Sequence, residues 1–129
     1  MKHLYIILFV LPFLGFGQVS HLTNQDFLNK MVDLVKDEMT FPQELGDGDT
    51  WDDYINENNQ NLVYTYSTNL SRKKLELINK EQIFLNFKNT LHPIVINELS
   101  SRGINLIVRY YRSNTKNIVK EIVVYPQDW

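Results

Sequence analysis

The chain has 129 residues and no cysteine, and its 13 lysines and arginines against 15 aspartates and glutamates give a formal net charge of −2. This balance provides no bulk positive charge for binding nucleic acid. Without cysteine the protein has no disulfide bond, thiol nucleophile or thiolate metal site, so its stability depends on burial and hydrogen bonding.

Residues 1–17 have the features of a secretory signal peptide. A lysine and a histidine precede an apolar run from Leu4 to Leu14, and Gly15 and Gly17 occupy the small-residue positions before Gln18. This order is typical of a cleaved signal, and the run is shorter than the roughly 20 residues of a membrane-spanning helix. We predict cleavage after Gly17, a secreted or periplasmic location and no transmembrane segment afterwards. Retention as an N-terminal anchor is the alternative.

The remaining residues, 18–129, are enough for one domain with its own core. Loss of Lys2 leaves 12 basic against 15 acidic residues, a net charge of −3. The first predicted element is a helix capped by Thr23 and ended near Thr40 by Pro42. Its apolar residues follow the three-and-four spacing of one buried stripe: Phe27, Leu28, Met31, Val32, Val35 and Met39.

A hairpin is predicted next. Residues 58–61 read Asn-Asn-Gln-Asn, a turn signal, and residues 62–67 are rich in residues that favour a strand. Residues 50–56 are the expected partner strand.

A second helix is predicted from Asn79, which has Gln82 three residues later, as in a capping box. It should stop before Gly103, and Pro93 should kink or break it because proline lacks a backbone donor. Residues 104–111 and 118–125 then read as two strands joined by a polar loop.

The element order is therefore helix, two strands, helix, two strands. Short loops predict antiparallel pairs, and one apolar stripe per helix requires one sheet face to bury it. We predict an α+β two-layer sandwich with an antiparallel four-stranded sheet and both helices on one face. Within the third strand, Leu106, Val108 and Tyr110 form the more apolar side, so that Arg109 and Tyr111 point the other way.

The stretch ELGDGDTWDDY, residues 44–54, contains five carboxylates. Its spacing fails the EF-hand template, because Trp51 and Asp52 stand where the template needs a ligand and a glycine. We interpret the stretch as a solvated turn in which Gly46 and Gly48 supply flexible backbone. A looser calcium site through Asp47 and Asp49, or a pair of catalytic carboxylates, are the alternatives.

A second cluster combines arginine with aromatic residues on neighbouring strands. Tyr64, Tyr66, Arg109 and Tyr111 are the candidate contacts for a ligand or partner, provided that one sheet face has no helical cover. Cross-strand packing that keeps an open face soluble is the competing interpretation.

The strings FPQELGDGDTWDDYINENNQNLVYTYS and RGINLIVRYYRSNTKNIVKEIVV resemble a group of small, uncharacterised secreted bacterial proteins. In that group a proline-and-acid stretch leads to an N-L-V-Y-x-Y strand, a helix and a late Y-x-Y-Y strand. The chain departs from the pattern by lacking a cysteine near the second helix and by carrying Ser113-Asn114-Thr115 where an aspartate-glycine turn is usual. The resemblance implies the location and the fold, and it transfers no activity or site residue.

These patterns predict a non-enzymatic binding module for a protein or envelope component, with no cofactor. No nucleophile elbow, P-loop or dinucleotide glycine motif is present in the sequence. A small hydrolase of cell-wall or glycan material that uses carboxylates of residues 44–57 is the first alternative. A calcium-dependent binding protein is the second.

Overall fold

A computed structural model of the protein describes residues 21–46 and 48–129. The predicted signal peptide and Asp47 lie outside the described residues. The helices are α1 (Asn24–Glu38), α2 (Arg72–Glu76), α3 (Lys80–Thr90) and α4 (Pro93–Ser101). The strands are β1 (Gln43–Gly46), β2 (Asp49–Glu57), β3 (Asn61–Thr68), β4 (Asn105–Arg112) and β5 (Ile118–Val124), and a 3-10 turn, Pro126–Asp128, follows.

The α+β class is confirmed, and the helix ends follow local chemistry. The side chain of Thr23 accepts a hydrogen bond from the backbone N–H of Asp26 at the start of α1, as the sequence predicts. Asn79 accepts from the N–H of Gln82 at the start of α3. The predicted break at Pro93 is also present, because α3 ends at Thr90 and Pro93 is the first residue of α4.

The sheet differs from the prediction in two respects. It has five strands in the order β1-β2-β3-β4-β5, because the short strand β1 pairs antiparallel with β2. The β3–β4 pair is parallel, whereas β2–β3 and β4–β5 are antiparallel. The connection from β3 to β4 carries α2, α3 and α4, and such a crossover is long enough to return the chain to the same end of the sheet. An antiparallel four-stranded sheet is therefore wrong in detail.

The main core lies between the helices and one face of the sheet. Buried helix residues such as Phe27, Ile83 and Leu99 belong to the same cluster as Leu106 and Val108 of β4. The sheet side of this cluster is unusually aromatic and comprises Trp51, Tyr54, Tyr64, Tyr66 and Tyr110. No helix of the described residues belongs to a core on the other side of the sheet, and we call that side the open face.

Candidate functional site

The open face has an apolar row across its middle. The strand register places Ile55 opposite Val63, Val63 opposite Ile107, and Ile107 opposite Val123. Residues that are directly paired point to the same side of a sheet, so these four side chains lie side by side on four strands. Val63 and Ile107 are only 0% and 5% exposed, although neither belongs to the cluster beneath the helices.

Arg109 forms a polar bridge across the same face. Its Nε donates to Oε2 of Glu121 on β5 at 2.6 Å, and its guanidinium also donates to Oε2 of Glu57 on β2 at 2.8 Å. Arg109 is level with Thr65 in the sheet and Glu57 is level with Asn61, so the ion pair spans the level of the apolar row. The stem of an arginine covers apolar surface well.

The ion pairs also fix the charge states on this face. Hydrogen bonding from Arg109 holds the pKa of Glu57 below its usual value, and hydrogen bonding to Glu57 raises the pKa of the Arg109 guanidinium. The side chain of Arg109 is 13% exposed. A guanidinium that is largely covered and already donates to two carboxylates has few N–H groups left to bind an anionic ligand.

The other predicted contact on this face is Tyr111. It is half-buried and lies opposite Ile118 of β5, whose side chain is 53% exposed. The two side chains form an accessible apolar patch next to the Arg109 cluster. The structure therefore brings Arg109 and Tyr111 together on one face, as the alternation in β4 predicts.

Tyr64 and Tyr66 lie on the opposite side of the sheet, so the four candidate contacts do not form one surface. Their exposed fractions are 5% and 2%, and they are paired in the register with Val108 and Tyr110 of the core side. Both rings stack on Trp51, with centroids 5.7 and 6.3 Å away. This is a correction to the expected surface, and its cause is that Tyr64 and Tyr66 alternate in phase with buried Leu62.

The buried tyrosines differ in how their hydroxyl groups are satisfied. Tyr54 and Tyr64 hydrogen-bond each other, and burial raises the pKa of both. Burial likewise raises the pKa of Tyr66, whose hydroxyl has no hydrogen-bond partner among the described residues. The aromatic cluster is therefore structural, with one unpaired polar atom inside it.

The acidic stretch is mostly strand rather than loop. Asp49 begins β2 and is 3% exposed, and its carboxylate accepts from the Thr68 hydroxyl at 3.0 Å and from the N–H of Asn69 at 3.2 Å. These bonds tie the start of β2 to the end of β3. The predicted calcium partner Asp47 lies outside the described residues, and the rest of the described chain holds no cluster of three or more acidic or histidine side chains placed to hold a metal.

The next two carboxylates are also engaged by donors. Asp52 accepts hydrogen bonds from the hydroxyls of Thr50 and Ser67 on the open face. Asp53 forms an ion pair with Lys36 of α1 at 2.9 Å. Both carboxylates are therefore already engaged by side chains of the protein. The arrangement thus gives no support to the hydrolase alternative.

Sequence reasoning missed a shallow groove along the edge strand β5. Its volume is about 460 Å³, and it is lined by Asn79 and Lys80 at the start of α3 and by Lys120, Glu121 and Val123 of the edge strand. It depends on the position of α3 beside β5, which no local pattern reveals. Lys80 is already engaged there by Asp128 at 2.6 Å.

Comparisons with known proteins identify a fold and no family. No protein-family model matches the chain, and no curated protein matches it. The crystal structure of a "putative secreted protein" from Pseudomonas aeruginosa superposes with a TM-score of 0.52 at 16% sequence identity, over 80% of this chain and 93% of that one. At this identity the likeness shows the fold alone. None of the helices in the described part of the chain is long and apolar enough to cross a membrane.

Proposed function

We propose that the mature chain is an exported, non-enzymatic binding module that recognises a protein or envelope component through the open face. The observation that carries this proposal is the face itself. It has no helix of the described core upon it, and it is held in shape by the bridge from Arg109 to Glu57 and Glu121. A surface that is already fixed in shape loses little conformational entropy when it binds a partner.

Export is supported by two independent features. The first 17 residues have the charge, apolar and small-residue order of a signal peptide. The fold is also similar to that of a bacterial protein described as secreted.

The two candidate residues on the open face have different roles in this proposal. Tyr111, with Ile118 beside it, supplies accessible aromatic and aliphatic contact area, which is the usual composition of an interface centre. Arg109 organises the surface by fixing two carboxylates and covering the apolar row.

A double substitution tests the proposal. Tyr111→Ser with Ile118→Ser removes the apolar patch without touching the ion pairs. Leu77→Ser with Leu85→Ser is the matched control, since these leucines are 59% and 47% exposed on the helical side. Each tagged mature protein is checked for folding by circular dichroism and then used to capture components from an envelope extract of its own cells.

We expect the wild type and the leucine control to retain the same component and the Tyr111 and Ile118 variant to lose it. Retention by all three folded proteins would contradict binding through the open face.

A further inference from the structure

We infer that the partner of the open face is a protein segment that presents lysine or arginine side chains, an inference that rests on the proposed function. The carboxylates on this face outnumber its cations. Glu57 and Glu121 share the single guanidinium of Arg109, so that group of three keeps a net charge of −1.

Two further carboxylates belong to the same side of the sheet. Asp52 bonds the hydroxyls of Thr50 and Ser67, which are paired with each other in the register. Glu44 of β1 is exposed and paired with Thr50, so it points to this side as well. Among the described strand residues of this face, four carboxylates therefore stand against one arginine.

The nearest strand cations do not correct this excess. Arg112 comes directly after Tyr111 in β4, and Lys120 comes directly before Glu121 in β5. Because side chains alternate along a strand, Arg112 and Lys120 point to the helix side. Arg112 is used there to donate to the backbone carbonyl of Leu70 at 2.6 Å. Lys36 neutralises Asp53 and adds no charge to the face.

The carboxylates remain accessible to a cation from outside. The side chains of Glu121 and Glu57 are 38% and 30% exposed. Arg109 bonds Oε2 of Glu121, and no donor from the described residues bonds Oε1, so an incoming ammonium or guanidinium group can reach it without displacing the arginine. An anionic membrane surface would instead be repelled by the same excess.

The accessible patch of Tyr111 and Ile118 defines what accompanies the positive charge. An extended segment presents residues two positions apart on the same side, so basic and apolar side chains at that spacing can pair with the carboxylates and contact the patch together. The partner is thus an extended basic segment of a protein.

Two synthetic peptides serve as probes, one that repeats Lys-Ser-Val-Ser and the other that repeats Glu-Ser-Val-Ser, so that the charged and apolar side chains of each lie on one side of an extended chain. Binding is measured by fluorescence anisotropy at low salt and near physiological salt, and amide NMR shifts locate the site. Glu44→Gln with Glu121→Gln removes two charges from the open face. Glu76→Gln with Glu81→Gln removes two exposed charges from the helical side and is the matched control.

We expect only the lysine peptide to bind, with amide shifts on β4 and β5, and weakening by salt. The open-face variant should bind it about fivefold or more weakly than the control, as expected for the loss of two exposed ion pairs. Absence of binding, equal binding by both variants, or equal binding of the glutamate peptide would overturn the inference. If the lysine peptide fails while the serine variant of Tyr111 and Ile118 still loses its natural component, the proposed function stands and only its basic partner is wrong.

Discussion

The guanidinium of Arg109 meets the carboxylate of Glu57 at 2.8 Å although strand β3 lies between the strands that carry them. The contact joins β2 to β4 over the backbone of β3, and the bond to Glu121 extends the bridge to β5. Val63 of β3, whose side chain is on the same face, is fully buried. One arginine side chain therefore links three strands of the open face.

Replacement of Arg109 by alanine should destabilise the protein by about 2 kcal/mol, because it uncovers the apolar row and leaves Glu57 and Glu121 without their cation. Arg109→Met retains an apolar stem over Val63 and Ile107 and should lose less. Chemical denaturation of both variants measures the difference. Equal losses would show that the stem contributes nothing and that the charge alone matters.

The Glu57 ion pair should make stability depend on acid pH. Because the folded pKa of Glu57 is lowered, its contribution is complete above the unfolded value of about 4.3 and is lost as the pH falls through the folded value. The melting temperature of Glu57→Gln should therefore lie below that of the wild type at neutral pH. The two should converge in acid, where both side chains are uncharged, and a constant gap would contradict this assignment.

Two tyrosine-to-phenylalanine substitutions should have opposite outcomes in the same aromatic cluster. Tyr64→Phe leaves the buried hydroxyl of Tyr54 unpaired and should cost about 1 to 2 kcal/mol. Tyr66→Phe removes a buried hydroxyl that has no partner among the described residues and should be neutral or slightly stabilising. Urea unfolding at neutral pH measures both, and an equal loss for Tyr66→Phe would show that its hydroxyl is satisfied in solution.

Alkaline pH should also unfold the protein through these residues. Burial raises the pKa of Tyr54, Tyr64, Tyr66 and Tyr110, so their neutral forms stabilise the fold fully below the unfolded value of about 10. That contribution is lost as the pH rises towards the folded values. Phenolate absorbance and circular dichroism should therefore change together for this set, and ionisation of all four tyrosines while the fold is intact would contradict the assignment.

Asp49→Ala should cost about 2 kcal/mol, because the substitution leaves the Thr68 hydroxyl and the Asn69 N–H without their acceptor. Asp49→Asn keeps one oxygen and should cost less. Millimolar calcium should leave the melting temperature of the wild type unchanged, since the Asp49 carboxylate is already engaged. A calcium-dependent rise that is lost in Asp49→Asn would favour the calcium alternative, because a ligand stabilises the state that binds it.

Much of the fold could be predicted because its signals are local. The caps at Thr23 and Asn79 and the break at Pro93 depend on residues within one helical turn. The alternation in β4 assigned Arg109 and Tyr111 to the same side, and the register confirms it.

The missed features depend on pairing between distant segments. Strand β1 has only four residues, starts directly after a proline and ends on a glycine, and its pairing with β2 is what makes it a strand. The parallel arrangement of β3 and β4 follows from the path of three intervening helices, which no strand pattern records. The same alternation that placed Arg109 could have placed Tyr64 and Tyr66, since both share the phase of Leu62 in β3. Whether an aromatic residue on a strand lies in the core or on the exposed side depends on which alternate positions of that strand are buried.

The parallel pair of β3 and β4 divides the sheet into two antiparallel parts, β1-β2-β3 and β4-β5. Each hairpin closes through a short turn, whereas Asn61 and Asn105, whose side chains hydrogen-bond across the parallel pair, are 44 positions apart in the chain. Closing such a long loop costs entropy before the parallel pair gains its contacts. We expect docking of the two preformed halves, rather than formation of either hairpin, to set the folding rate.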